Sequence, residues 1–293
     1  MSHFKNLSDG ALSAPRLRCG HTLWNLIGLP FNGDVEWTIE EKIANVKNAG
    51  FEHMECWIGD DDHGKKVREE MQKHGLHLAL GHRPCRVEDT LQRVEDAKNW
   101  GAQWVLCQPA SAYHSLEEVV AIVRAGAKAA DEAGIRYFVE THRNNFTETI
   151  RQTLELIEAV PEIKITADFS HFAVVGEFYG WSGEGAIERM RPIIEKVAHV
   201  HGRISNGEQV QVDVGDGSDQ SEGSPAGFFK QIWVECFKAW RKTAQNGDIL
   251  PFSSELGPPR YAIVDTKGKE ISDRWEQSLV MRKLALQAWE ESA

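Results

Sequence analysis

Acidic and imidazole side chains stand at the ends of four consecutive apolar runs in the second half of this 293-residue sequence. Glu140 ends the run YFVE, Asp168 ends ITAD and Glu255 ends PFSSE, while the run AHVHG carries His199 and His201. If these runs are parallel strands, their C-terminal ends meet at one edge. Like charges gathered there repel one another unless a cation neutralises them. We therefore expect a metal-binding site.

The proposed ligand set is Glu140, Asp168, His201 and Glu255, which are three carboxylates and one imidazole. Such an oxygen-rich set suits Mn²⁺ or Mg²⁺ and also accepts Co²⁺ or Zn²⁺. We expect one divalent ion per chain, with Mn²⁺ as the first candidate. His199 and His201 share a strand face because side chains alternate with a period of two. Strand parity therefore leaves open which of the two binds the metal, and we assign His201.

Eight short apolar runs alternate with longer segments of helical periodicity along the chain. Capping signals begin several helical segments, such as T-I-E-E from Thr38 and S-L-E-E from Ser115, and a glycine follows many of them. This alternation implies parallel strands joined by right-handed crossovers. The apolar runs are Leu17–Trp24, Phe51–Gly59, Leu76–His82, Ala102–Pro109, Ile135–His142, Ile163–Asp168, Ala198–Ile204 and Ile249–Glu255.

The strand count and the chain length favour the α/β class, with a single closed (β/α)₈ TIM barrel. An open doubly wound sheet would carry a glycine-rich phosphate loop after its first strand, and here the first run ends in HTLW. We predict a loose N-terminal arm over residues 1–15 and the barrel over residues 16–293. A long polar loop over residues 205–227 would be a lid or disordered. The metal site then lies at the C-terminal ends of the strands, where such barrels form their active sites.

The composition argues against several classes of protein. A formal net charge of −11 and the lack of a dense basic stretch disfavour nucleic acid as a partner. No window approaches the ~20 apolar residues of a membrane span, and the N-terminal residues do not resemble a signal peptide. The five cysteines include no C-x-x-C pair. We expect a cytoplasmic protein without a membrane partner, and we leave open whether it forms a homo-oligomer.

The order of the ligand candidates resembles a known family. Glu, D-x-x-H, H-x-H and Glu follow one another along the fifth to eighth runs, as in the xylose isomerase-like barrel superfamily. The pattern is most similar to that of tagatose and psicose 3-epimerases, with inosose-processing enzymes nearby, and it extends over nearly the whole chain. The resemblance implies that the four proposed ligands bind the metal and that Glu140 and Glu255 also form the acid/base pair. It also implies that His171 lies beside the substrate oxygens.

Two positions depart from that family. The ketose 3-epimerases place a substrate-binding arginine further along the chain from the ligand histidine, whereas here Arg203 follows His201 by two residues. The carboxylate that they place shortly after the glutamate of the fifth strand is replaced by T-H-R-N-N. The substrate and the reaction outcome therefore stay open.

We predict a divalent-metal-dependent isomerase or epimerase that acts on a keto-sugar or related polyol. A metal ion chelated by a carbonyl and a neighbouring hydroxyl acidifies the carbon between them, and a glutamate then removes the proton to give an enediolate. Return of the proton gives an isomer or epimer, whereas expulsion of a β-leaving group from a keto-sugar or keto-glycoside makes the enzyme a lyase or dehydratase. Further candidates for substrate contact stand at or near strand ends: Trp24, Glu55, His82, His142, His199, Arg203 and Tyr261, with His21, Trp57 and Gln108 close by.

Two other functions rank below these. An endonuclease of abasic DNA from the same superfamily would use a cluster of zinc ions held by many more histidines, and the acidic charge of this chain disfavours it. A barrel that only binds a sugar has no need of two glutamates on the metal ion.

Overall fold

The computed structural model describes residues 2–176, 183–221 and 223–293. Within these ranges, eight parallel strands form one closed barrel, because each strand pairs with the next and the last pairs with the first. The predicted α/β barrel is confirmed, and every barrel strand overlaps one of the eight apolar runs. The barrel strands are β2 (Arg16–Thr22), β3 (His53–Cys56), β4 (His77–His82), β5 (Trp104–Cys107), β6 (Arg136–Glu140), β7 (Ile165–Ala167), β8 (Val197–Gly202) and β9 (Asp248–Ser254).

Helices connect successive strands and cover the outside of the barrel. Thr38 and Ser115 each begin a helix through a capping box, as their sequences predict. Gly50 and Gly134 follow the same two helices with φ angles of 81° and 75°, which glycine adopts without steric cost. No helix in the described ranges combines the length and hydropathy needed to cross a bilayer. The helices are α1 (Ile39–Asn48), α2 (Asp62–Lys73), α3 (Val87–Asn99), α4 (Leu116–Glu132), α5 (Ile150–Ala159), α6 (Phe169–Gly176), α7 (Gly183–Ile194), α8 (Pro225–Arg241) and α9 (Arg274–Glu291), with 3₁₀ turns at Trp24–Leu26 and Phe146–Glu148.

The N-terminal arm is attached to the barrel and is not loose. Leu7–Ser8 forms a short strand, β1, which pairs antiparallel with the start of β9. Phe4 and Leu7 are buried, and Leu7 joins Trp104 and Phe138 in an apolar cluster inside the N-terminal end of the barrel. A two-residue strand carries too little pattern to be recognised in a sequence, yet burial of its apolar side chain holds it in place.

The predicted long loop is shorter than residues 205–227. Helix α8 begins at Pro225, with Ser224 as its N-cap. The described part of the loop packs against α9, because Val214 N donates to Gln277 Oε1 (3.0 Å) and Gln277 Nε2 donates to Gly215 O (2.9 Å). This packing contradicts a disordered loop, and a lid motion stays a prediction.

Polar side chains fill the interior of the barrel towards the C-terminal ends of its strands. His53 and Glu55 share the inward face of β3, and His199 and His201 share that of β8, by the period of two. Gly20 on β2 leaves room for one of these rings, since a Cβ atom there would lie 2.1 Å from His53 Nε2. His201 belongs to the predicted metal site, and His53, Glu55 and His199 form a separate group next to it.

Candidate metal centre

Four buried ligand candidates meet at the C-terminal ends of the strands. Glu140 ends β6, His201 lies in β8, and Asp168 and Glu255 directly follow β7 and β9. One ligand atom from each of the four lies within 4.8 Å of the others. The structure therefore brings together the whole ligand set that the sequence predicts. Binding of a metal ion by this set stays a prediction.

The imidazole of His201 contacts all three carboxylates of the set. Its Nδ1 lies 2.7 Å from Glu255 Oε2, 3.1 Å from Glu140 Oε1 and 3.9 Å from Asp168 Oδ2. His199 lies one layer deeper along β8 and belongs to a different group of side chains. Depth along the strand, which parity does not reveal, therefore places His201 with the carboxylates.

Arg203 is a second buried cation in this group. Its Nη2 lies 2.8 Å from Glu255 Oε2 and its Nη1 lies 3.3 Å from Asp168 Oδ2. Its Nε also donates to the carbonyl oxygen of Glu255 (2.8 Å). Because three ionised carboxylates carry a charge of −3 and Arg203 carries +1, the group with a neutral His201 has a charge of −2. A divalent ion would bring this charge to zero.

Two oxygen atoms of the ligand set lack a hydrogen bond from any described residue. Asp168 Oδ2 and Glu255 Oε2 are buried, and within the described residues neither accepts a hydrogen bond of good geometry despite the nearby cations. Buried acceptors without a hydrogen bond are uncommon in folded proteins, and a bound ion is one of the explanations for them. Together with His201 Nδ1 they form an oxygen-rich donor set of the kind that divalent cations prefer. The residues present therefore fit a divalent metal ion.

The crowding of charges changes the protonation of the metal-free site. Burial raises the pKa of Asp168 to about 7, although Arg203 opposes this change. Burial would also raise the pKa of Glu255, but His201 and Arg203 lower it to about 2. Burial would lower the pKa of His201, but the surrounding carboxylates raise it well above 6.5. A metal ion must therefore displace protons from His201 and Asp168.

Five predicted substrate contacts lie together beside the ligand set. The rings of His142 and His171 are 4.0 Å apart between centroids, and Tyr261 Oη lies 3.5 Å from His142 Nε2. Trp24 packs edge-on against Tyr261 at 4.9 Å, and the Arg203 guanidinium lies 4.8 Å from the centre of the Tyr261 ring. Their contact with a substrate stays a prediction.

His82 faces away from the site, so its prediction as a substrate contact is wrong. Its Nε2 lies 3.4 Å from Tyr137 Oη and 3.5 Å from Thr90 Oγ1 of α3. The Tyr137 ring in turn lies against Gly126 of α4, on the outer side of the barrel. Burial lowers the pKa of His82 to about 3, so the ring is neutral. Inward and outward positions alternate along a strand, and the run LHLALGH does not indicate which set of alternate residues faces inward.

Glu55 and His199, two further predicted substrate contacts, lie beneath the ligand set. Glu55 Oε1 is 3.1 Å from His199 Nε2, and Glu55 Oε2 is 3.2 Å from His201 Nε2. His199 also lies 3.0 Å from Thr166 Oγ1 and 3.0 Å from Ser253 Oγ. The polar atoms of both residues face neighbouring side chains. Glu55 and His199 therefore form a layer that supports the site, whereas the sequence predicts that they contact the substrate.

Glu140 is oriented by a residue at the end of the neighbouring strand. Gln108, just after β5, donates through Nε2 to Glu140 Oε2 (2.7 Å). Arg83 in turn donates through Nε to Gln108 Oε1 (3.0 Å). Arg83 is absent from the residues that the sequence singles out. The signal that finds it is its place in the sequence HRP, directly after a predicted strand.

A family model described as xylose isomerase-like TIM barrel matches residues 43–219, which is more than half of the chain. The chain belongs to this family. The match includes Glu140, Asp168 and His201, and Glu255 lies beyond it. The family suggested by the order of the ligand candidates is thereby confirmed. No curated protein matches the sequence of this xylose isomerase-like barrel.

Several solved structures resemble this xylose isomerase-like barrel. A probable 3-DHS dehydratase, AsbF, involved in petrobactin synthesis in Bacillus anthracis, is 16% identical, with a TM-score of 0.56 over 92% of this chain and 98% of its own. A sugar phosphate isomerase/epimerase from Parabacteroides distasonis is 13% identical, with a TM-score of 0.54 over 96% of each chain. A xylose isomerase-like TIM barrel protein from Mycobacterium smegmatis, in complex with magnesium, is 13% identical, with a TM-score of 0.53 over 96% of this chain and 98% of its own. At these identities the similarity shows a shared fold.

Proposed function

We propose that this protein is a divalent-metal-dependent isomerase or epimerase of a keto-sugar or related polyol. The observation that carries the proposal is a pair of buried glutamates, Glu140 and Glu255, which contact the same nitrogen of His201 at 3.1 and 2.7 Å. With Asp168 these residues would hold the metal ion, and Mn²⁺ is the first candidate. When bound, the ion would acidify a substrate carbon that lies between a carbonyl and a hydroxyl group.

The two glutamates are held differently, which suggests separate roles. Burial would raise the pKa of Glu255, but His201 and Arg203 lower it to about 2. The Glu255 carboxylate is therefore ionised at neutral pH, which a group that accepts a proton requires. Because a low pKa also makes it a weak base, proton removal would depend on acidification of the substrate carbon by the bound ion. Glu140 is fixed by the hydrogen bond from Gln108 to its Oε2 (2.7 Å). We assign removal of the proton to Glu255 and its return to Glu140.

Residues beside the ligand set would orient the substrate. His142, His171 and Tyr261 offer hydrogen-bonding groups to hydroxyls, and Trp24 offers an aromatic face for the carbon atoms of a sugar. If these side chains enclose the reacting carbon as proposed, they would also exclude water and strengthen the electrostatic interactions there.

Exchange of substrate hydrogen for solvent deuterium tests this proposal. The protein is incubated with Mn²⁺ and a panel of keto-sugars in D₂O, and the recovered sugars are analysed by NMR. We expect deuterium at the carbon next to the carbonyl, together with an epimer or isomer. Glu255→Gln should abolish this exchange, whereas Glu52→Gln, a half-exposed glutamate before β3 that pairs with Arg16, should not. Lack of exchange with every keto-sugar would overturn the proposal.

Product analysis, metal content and sugar binding distinguish the alternative functions. An unsaturated product that absorbs in the ultraviolet would identify a lyase or dehydratase. Several tightly bound zinc ions per chain would favour the abasic-site endonuclease, and sugar binding without exchange would identify a non-catalytic barrel. We also propose a small carbohydrate as the partner, a cytoplasmic location and no nucleic-acid or membrane partner. Gel filtration would reveal a homo-oligomer.

A further inference from the structure

One carboxylate contacts two imidazole rings beneath the ligand set. Glu55 on β3 and both His199 and His201 on β8 are at most 1% exposed. Glu55 Oε2 lies 3.2 Å from His201 Nε2, and Glu55 Oε1 lies 3.1 Å from His199 Nε2. The contact with His201 has the geometry of a hydrogen bond. Within the described residues, Oε1 has no such bond, so the hydrogen bond of Glu55 is directed at His201.

Glu55 determines which nitrogen of His201 is available to a metal ion. An ionised carboxylate only accepts hydrogen bonds, so His201 Nε2 donates to Glu55. Nδ1 lies 3.1 Å from Glu140 Oε1 and donates in the same way in the metal-free ring, and a metal ion at the ligand set would take the place of the proton on Nδ1. In the neutral ring the lone pair then lies on Nδ1. This atom is 2.7 Å from Glu255 Oε2 and 3.1 Å from Glu140 Oε1. The ring therefore presents its lone pair to the place where the carboxylates converge.

The layer around Glu55 is fixed by side chains that do not touch His201. Thr166 Oγ1 lies 3.0 Å from His199 Nδ1. Ser253 Oγ lies 3.0 Å from His199 Nε2 and 2.8 Å from His53 Nε2. These contacts hold two imidazoles in the layer below the ligand set. The chain thus offers variants that disturb this layer without removing the partner of His201.

We propose that Glu55 is a positioning residue for the metal ligand His201. It orients the ring, fixes its tautomer through Nε2 and makes Nδ1 a stronger donor to a metal ion. Carboxylates in this role raise the basicity of a metal-binding histidine, and their loss typically weakens metal affinity about 10- to 100-fold. The inference rests on the metal site of the proposed function and not on the reaction that the site catalyses.

Titration of the full-length chain with Mn²⁺, followed by electron paramagnetic resonance of the free ion, compares wild type with Glu55→Gln. We expect the Kd for Mn²⁺ to rise about 10- to 100-fold in this variant. Pulsed measurements should also show that the coupling between bound Mn²⁺ and the imidazole nitrogen is changed or lost. Ser253→Ala is the matched control, because among the described residues the hydroxyl of Ser253 contacts His199 and His53 and does not contact His201. It should lower thermal stability and leave the Kd and the nitrogen coupling as in wild type.

A wild-type Kd and an unchanged nitrogen coupling in Glu55→Gln would overturn the proposal, even if the variant unfolded at a lower temperature. If Glu55→Gln does not fold, Glu55→Asp supplies the test, because it keeps the charge and shortens the side chain by one methylene. Glu55→Asp should bind Mn²⁺ more weakly than wild type, and an unchanged Kd would again overturn the proposal. A wild-type chain that binds Mn²⁺ and turns over no keto-sugar would refute the proposed function alone.

Discussion

Replacing Arg203 by methionine should destabilise the metal-free protein by about 3–5 kcal/mol, the usual cost of removing one partner from a buried ion pair. The side chain is 1% exposed, and its guanidinium lies 2.8 Å from Glu255 Oε2 and 3.3 Å from Asp168 Oδ2. Its loss leaves the buried carboxylates without this counter-charge. We expect the upper half of the range, because one guanidinium serves two carboxylates and a backbone carbonyl.

A metal ion should reverse part of this loss. With a neutral His201, the ligand set together with residue 203 carries −3 in the variant and −2 in the wild type, so a divalent ion is attracted more strongly. The Kd for Mn²⁺ should therefore fall. Because binding stabilises the folded state by RT ln(1 + [L]/Kd), saturating Mn²⁺ should stabilise Arg203→Met more than wild type. These opposite effects distinguish a lost counter-charge from lost packing.

Urea unfolding in the presence of EDTA or of saturating Mn²⁺, followed by circular dichroism, measures both effects. Arg18→Met is the matched control, since Arg18 is equally buried but donates to Gln103 Oε1 (2.6 Å) instead of a carboxylate. Its response to Mn²⁺ should equal that of wild type. The charge argument would be wrong if metal-free Arg203→Met stayed within about 1 kcal/mol of wild type. It would also be wrong if Mn²⁺ stabilised both proteins equally.

The affinity for Mn²⁺ should rise with pH between about 6 and 8. Burial raises the pKa of Asp168 to about 7, and carboxylates raise that of His201 well above 6.5 against burial, so both groups must lose protons to bind the ion. Calorimetry in buffers of different ionisation enthalpy should detect this proton release, and a pH-independent affinity would contradict it. Glu255→Gln should lower kcat by at least about 100-fold because the base is lost. Deuterium exchange rates measure this loss, and full activity would refute the assignment. His82→Phe should leave KM unchanged in steady-state kinetics, because the ring faces the helices, and should cost about 1–3 kcal/mol in urea unfolding. A raised KM would place His82 at the substrate.

The position of the site is predictable because it depends on strand direction more than on details of packing. Glu140, Asp168 and Glu255 each follow an apolar run, and a parallel barrel gathers the C-terminal ends of its strands at one face. His199 and His201 both point inward by parity. The two differ in their depth along β8, which decides which of them reaches the carboxylates. This depth is known only once the barrel has been assembled.

Other features depend on strand register, which one sequence does not reveal. His201 pairs with Ser253 across β8 and β9. Arg203 and Glu255 each follow two residues later, just beyond the ends of β8 and β9, so they lie level with each other and the guanidinium reaches the carboxylate. The outward direction of the His82 side chain likewise depends on the orientation of β4 in the barrel. Ion pairs and facing directions of this kind therefore follow from tertiary structure.

Strands β1 and β2 pair with a strand that lies far along the chain. Leu7 of β1 and Arg16 of β2 both pair with Ile249 of β9, which the ribosome makes about 240 residues later. At ~5–20 residues per second this interval lasts roughly 12–48 s. Until β9 emerges, the outer edge of β2 is unpaired, and open strand edges recruit other strands. The nascent barrel thus exposes such an edge until β9 has been made, and shielding of that edge would favour folding over association with other chains.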